Sequence, residues 1–297
     1  MASSAAILFL IFLLIMLIVC SGYFVYRYMR SENHAQVNNN KITMYDNNRS
    51  NTIVLFKTHI WNDDIEKFVK KLKNETTEMK DNKIDFYVLM HSDNFNLINQ
   101  IKDQDLRKYV LMFREADIKK IYKHGFYSMW LSNHWILMWF YKQLRDKYQY
   151  YWSIEYDVRI SGNSSKIWTY IGTEDFVYPI EPFKDLNWGW KNHYAGNKLT
   201  DDNKYYGYLQ LARYSNNFLK YLDSRFEAGE NGQDEMIIFS LFKLSGLSGT
   251  KTMLNKLIKN SWSVANSESD KHKKMLSKSE TKYQTDKNNL CIYHPIK

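Results

Sequence analysis

Three short stretches carry residue types whose spacing suits chemistry. Glu155-Tyr156-Asp157 places two acids two positions apart, directly after the apolar run YYWSI at residues 150–154. Acids at the carboxyl end of a buried strand stand where open α/β sheets bind ligands. Carboxylate oxygens there suit Mg²⁺ or Mn²⁺, which commonly keep water and substrate phosphates in their shells. A cation on a diphosphate would stabilise the charge that grows on that leaving group. An ordinary strand-end turn accounts for the same triplet. Asp234-Glu235 stands between Gly232 and an apolar helical run. There it fits both a helix dipole that favours early acids and a general base for a hydroxyl. His294, in Cys291-Ile292-Tyr293-His294-Pro295, is a packed histidine or a metal ligand. Trp188-Gly189-Trp190 offers aromatic faces for a sugar ring or side chains for the core. Thr58, His59, His91 and Asp93 follow predicted strands, within reach of a nucleotide base or ribose. The sequence has no glycine-rich phosphate loop, GxSxG, HExxH or CxxC pair.

The elements that must position these residues follow from hydrophobic periodicity. Residues 52–61 (TIVLFKTHIW), 84–90 (IDFYVLM), 109–113 (YVLMF) and 150–154 read as buried strands. Residues 63–73 have helical spacing through Ile65, Phe68, Val69 and Leu72. Residues 128–148 repeat apolar side chains at three- and four-residue steps, which predicts one long amphipathic helix. Two further helices are expected over residues 209–225 and 236–244. Strands alternating with helices predict a mainly parallel sheet covered on both faces.

Residues 7–25 (ILFLIFLLIMLIVCSGYFV) carry no charge. At ~1.5 Å per residue this run just spans a ~30 Å hydrocarbon core, so a single membrane-spanning anchor is expected over residues 1–30. A cleaved leader would want a basic start and a shorter apolar core. Residues 31–50 are polar and Asn-rich, as in a short stem, and residues 51–297 then make one α/β domain. The chain has 23 Tyr, 16 Phe and 9 Trp, most of them in that domain, which gives ample material for a core and excludes disorder. The net charge of +9 is scattered, and the cluster Lys271, Lys273, Lys274, Lys278 reads as a solvated face, so no nucleic-acid partner is expected. Cys20 and Cys291 leave no disulfide within the soluble domain. Arg27 and Arg30 beside the apolar run favour a cytosolic domain. The sequons at Asn48, Asn74 and Asn163 favour a lumenal one, but an Asn-rich chain yields as many by chance.

Anchor, stem, a nucleotide-binding βα half and an acid-x-acid triplet at a strand end, in that order, resemble the layout of glycosyltransferases with the GT-A fold. The resemblance covers residues 52–297. It implies a mixed, mainly parallel sheet flanked by helices, a nucleotide-sugar donor, a glycan or glycoconjugate acceptor, and Mn²⁺ or Mg²⁺. In the family's slots stand Glu155 and Asp157 for metal and donor diphosphate, and Gly189 within Trp188-Gly189-Trp190 for the glycine-containing loop. Gln233-Asp234-Glu235 takes the slot of the catalytic base, and His294 that of the C-terminal metal ligand. The first acid is Glu rather than the usual Asp, which makes Asp157 the safer ligand. Gln-Asp-Glu leaves both Asp234 and Glu235 open as the base; Asp234 aligns with the Gly-Glu-Asp of galactosyltransferase-like members. The family plan puts the domain in the Golgi or endoplasmic reticulum lumen, as a type II membrane protein. A membrane-displayed carbohydrate-binding module and a metal-dependent phosphohydrolase are the alternatives.

Overall fold

A computed structural model describes residues 51–77, 84–91, 93, 97–185, 187–258, 268–286 and 289–297. The apolar run at 7–25, the stem at 31–50 and the Asn48 sequon lie outside the described residues. No helix among the described residues is long and apolar enough to cross a membrane. The fold lies within the compact unit Asn48–Lys297.

Strands β1 (Thr52–Thr58), β2 (Ile84–His91), β3 (Val110–Phe113) and β4 (Tyr150–Glu155) run parallel, with β1 central between β4 and β2. Helix α1 (Asp63–Thr77) connects β1 to β2, and α2 (His134–Gln143) precedes β4. Residues buried on both faces make these strands near-continuous apolar runs. Val54, Phe56, Val88, Trp152 and Ile154 pack on Ile65, Phe68, Val69 and Leu72 of α1. On the other face Tyr87 meets Phe140 and Tyr151 meets Tyr141, both on α2.

Beyond β4 the sheet changes direction. β8 (Leu211–Ser215) pairs antiparallel with β4 and with β6 (Phe176–Val177), and β10 (Gly249–Thr250) closes the edge, giving the order β10-β6-β8-β4-β1-β2-β3. This seven-stranded, mixed and mainly parallel sheet flanked by helices fits a GT-A-like architecture. Two small antiparallel pairs lie outside it: β5 (Arg159–Ser161) with β11 (Cys291–Tyr293), and β7 (Tyr194–Ala195) with β9 (Asn231–Gly232).

Two helical expectations are corrected. Residues 129–133 form turns, and α2 begins only at His134: the Leu131 carbonyl, which a helix would offer to the Trp135 N–H, accepts the Asp234 N–H at 2.9 Å, and Trp135 donates to the Ser132 carbonyl instead. Residues 209–225 are a strand followed by a helix, not one helix: α3 (Asn216–Glu227) starts where Ser215 accepts the Phe218 N–H as an N-cap. β8 holds Arg213, which is 1 % exposed and donates to the carbonyls of Tyr170, Gly172 and Glu174. Its guanidinium lies 4.1 Å from the Tyr150 ring centre, so aromatic faces and carbonyls replace its lost water. Helix α4 (Asp234–Ser245) is apolar on nearly all sides and buried, and α5 (Ser269–Thr285) exposes Lys271, Lys273, Lys274 and Lys278 as a solvated face.

Candidate active site

Parallel strands deliver their carboxyl ends to one edge of the sheet, so Thr58, His91 and Glu155 arrive together. Because β8 runs the other way, it brings its beginning to that edge. Ile154 pairs with Leu211, and the Glu155 N–H donates to the Gln210 carbonyl at 2.9 Å. The last strand supplies a further side. Tyr293 pairs with Arg159, and the Ile296 N–H donates to the Asp157 carbonyl at 2.8 Å, which draws His294 and Lys297 over the acid-x-acid turn. The result is a cavity of about 540 Å³, lined by these strand ends, by residues 129–133 and by the start of α4.

Of the residues singled out in the sequence, Thr58, His59, His91, Glu155, Asp157, Asp234, Glu235 and His294 line this cavity. Trp188, Gly189 and Trp190 do not. Trp188 packs on Tyr206 with ring centres 4.9 Å apart, nothing lies within 4 Å of a Cβ built on Gly189, and Trp190 meets Trp130 edge to face. The Trp-Gly-Trp stretch expected to bind the donor thus lies outside the cavity lining, and Trp190 meets that lining through Trp130. Asp93 stands one step outside the lining, 3.0 Å from His91 Nε2.

The two acids of the triplet take different partners. Asp157 is 5 % exposed; its Oδ2 lies 3.5 Å from His294 Nε2 and 3.8 Å from Lys297 Nζ. Its Oδ1 is buried and receives no hydrogen bond. A buried carboxylate oxygen without a donor, next to an imidazole, is a donor set that fits Mg²⁺ or Mn²⁺. Such ions are often bound by one or two protein groups, with water and substrate phosphate completing the octahedron. Glu155 turns away from that pair: Asn133 Nδ2 donates to its Oε1 at 2.6 Å, and Lys57 Nζ lies 3.4 Å from the same oxygen. A second group, His91, Asp93 and Glu115, brings three ligand atoms within 4.8 Å of one another. There His91 and the Glu115 N–H both bond Asp93 Oδ2, and Lys119 holds Glu115, so mutual contacts account for the arrangement.

At the start of α4 two carboxyls are buried side by side. Asp234 Oδ1 accepts from Gln233 Nε2 at 2.8 Å and from the Glu235 N–H at 2.7 Å. Burial, then the neighbouring Glu235 and Glu155, hold its carboxyl well above the ordinary range, with Lys57 opposing. Glu235 Oε1 accepts from Gln210 Nε2 at 2.9 Å, and burial pushes this carboxyl up to about 7. Burial also lowers the His59 imidazole, helped by His91 and opposed by Asp157. A carboxyl poised near neutrality, as Glu235 is, can take a proton from a hydroxyl at working pH.

Sequence reasoning missed Lys57, Asn133 and Gln210. Lys57 had a signal: a lysine inside the otherwise apolar run TIVLFKT must find an anion if the strand is central. Asn133 and Gln210 had none, since they border turns.

No protein-family model and no curated protein matches the chain. Among solved structures, the chain is similar to galactosyltransferase LgtC in complex with donor and acceptor sugar analogues, at 13% identity over 64% of this chain and 70% of that one, with a TM-score of 0.37. The bifunctional glycosyltransferase WbbM is similar at 13% identity over 67% of this chain and 38% of that one, with a TM-score of 0.37. A mannosyltransferase from Pyrobaculum calidifontis, in complex with GDP-Man and Mn²⁺, is similar at 10% identity over 78% and 64%, also with a TM-score of 0.37. Likenesses of that size carry no weight for function, which rests on the cavity itself.

Proposed function

We propose that the protein is a membrane-anchored glycosyltransferase that moves a sugar from a nucleotide-diphosphate donor to a hydroxyl of a glycan or glycoconjugate. The observation that carries this reading is the meeting, in one cavity, of the Asp157–His294 pair with the buried carboxyls Asp234 and Glu235. Asp157 and His294 would hold Mg²⁺ or Mn²⁺, which when bound neutralises charge on the donor diphosphate. Thr58, His59 and His91, which line the cavity at the strand ends, would meet the nucleotide. In an inverting transfer, the acceptor oxygen bonds to the anomeric carbon as the bond from that carbon to the diphosphate oxygen breaks. The acceptor's proton passes to the acidic pair of α4, where Glu235 ionises near neutrality and Asp234 orients it. Residues 7–25 would anchor the chain, residues 31–50 would form its stem, and residues 51–297 would act in the lumen as a type II protein.

The test is transfer and hydrolysis with a panel of nucleotide sugars and Mn²⁺. Wild type should turn over at least one donor, and Asp157→Ala and Asp234→Ala should lose that turnover. Variants that match wild type would sink the mechanism. Protease protection of the domain in intact vesicles tests the lumenal placement; full digestion would rule it out.

A further inference from the structure

Trp130 is 68 % exposed and Trp190 37 % exposed, although large aromatics ordinarily bury most of their surface. The two rings stand edge to face at 5.1 Å, Trp190 meets His193 at 5.3 Å, and His193 meets Tyr127 at 5.1 Å. Four rings thus form a row, each fixing the tilt of the next. A contiguous exposed patch of this kind marks a binding surface.

The row is tied to the chemistry through the backbone. The Asp234 N–H donates to the Leu131 carbonyl at 2.9 Å, one residue from Trp130. The Gln233 N–H donates to the His193 carbonyl at 2.8 Å, and the adjoining Tyr194 pairs with Gly232. His193 and the neighbour of Trp130, Leu131, are therefore hydrogen-bonded to the cap and first residue of α4, and Trp130 itself lines the cavity. That ties it to the carboxyl pair, rather than to the β1 and β2 ends where Thr58 and His91 stand.

We propose that Trp130, supported by Trp190 and His193, is the platform on which a ring of the acceptor glycan stacks. The assignment to the acceptor rests on the glycosyltransferase reading. A pyranose has an apolar C–H face for the indole and a polar rim of hydroxyls. Gln210, Gln233, Asp234 and Glu235 border the same cavity and are groups that bind such hydroxyls. A lipid tail or an apolar peptide would match the rings but displace water from those polar groups without offering them hydrogen-bonding groups of its own.

Saturation-transfer NMR on the full-length chain in detergent, with lactose, mannotriose and chitotriose as probes, reads glycan binding directly. Calorimetry with UDP or GDP and Mn²⁺ reads the nucleotide side. At least one glycan should bind wild type. Trp130→Ala should weaken it about tenfold, equivalent to about 1.4 kcal/mol, Trp190→Ala should weaken it less, and Trp130→Phe should recover part of the loss. Nucleotide affinity should stay within about twofold in each. Both truncated rings are surface groups, so the fold should survive, and an unchanged circular dichroism spectrum checks it. The proposal is overturned if no probe binds wild type at millimolar concentration, if Trp130→Ala binds as wild type does, or if nucleotide affinity falls with glycan affinity. Trp130-dependent glycan binding without any metal-dependent nucleotide binding would keep the sugar platform and remove the transferase reading.

Discussion

His294 Nε2 lies 3.5 Å from Asp157 Oδ2, which joins the turn after the fourth strand to the end of the last. The pair predicts a metal dependence that can be measured without knowing the sugar. UDP or GDP should bind wild type in calorimetry with Mn²⁺ and lose affinity when a chelator is added. Asp157→Asn should abolish the metal-dependent part, and His294→Ala should weaken it on the order of tenfold or more. Chelator-insensitive nucleotide binding would contradict the assignment.

Glu235 predicts the pH dependence of stability. Its carboxyl is pushed up to about 7 by burial, so the folded chain holds this proton at pH values where the unfolded chain has released it. Between the ordinary carboxylate range and about 7, the folded state therefore binds more protons, and stability falls as pH rises, by about 1.4 kcal/mol per unit at most. Above that window this contribution levels off. Thermal melts from pH 5 to 8 should show the decline, and Glu235→Gln should flatten it. Transfer should move the opposite way, rising as Glu235 ionises. A wild-type profile that matches Glu235→Gln would remove this residue as the source.

Lys57 predicts a coupling with Glu155. Both side chains are largely buried, and the lysine also opposes the upward shift of Asp234. Lys57→Met leaves Glu155 facing the α4 acids without its cation, at a cost of about 3 kcal/mol, the range for breaking a buried pair. Adding Glu155→Gln should recover much of that loss, since no uncompensated charge remains. Urea denaturation of the two single variants and the double variant measures the coupling; simple additivity would show that the pair does not act as one unit.

The strands that carry the site were legible because burial on both faces writes them as apolar runs, as in TIVLFKT and YYWSI. The acids were legible because they follow those runs. β8 was not: LARYS contains a buried arginine whose partners are distant carbonyls, and it passes straight into α3, Ser215 being both its last residue and the helix N-cap. The same blindness hid the Trp130 row, since Trp130 and Leu131 fit a helical stripe and the Leu131 carbonyl is drawn out of it by the N–H of Asp234, about a hundred residues on. For Trp188 and Trp190 the sequence left a sugar platform and core filling open, because their neighbours in space, Tyr206 and Trp130, come from elsewhere in the chain.

β11 has a consequence for the order of events during synthesis. Asp157 directly follows a strand of the central sheet, but its partner histidine and the Ile296 N–H that grips its carbonyl belong to residues made after every strand of that sheet. A nascent chain that has folded its sheet therefore still lacks a complete centre. Assembly of the pair must wait for residues 291–297 to dock against β5, so the chain becomes competent in one late event rather than by degrees.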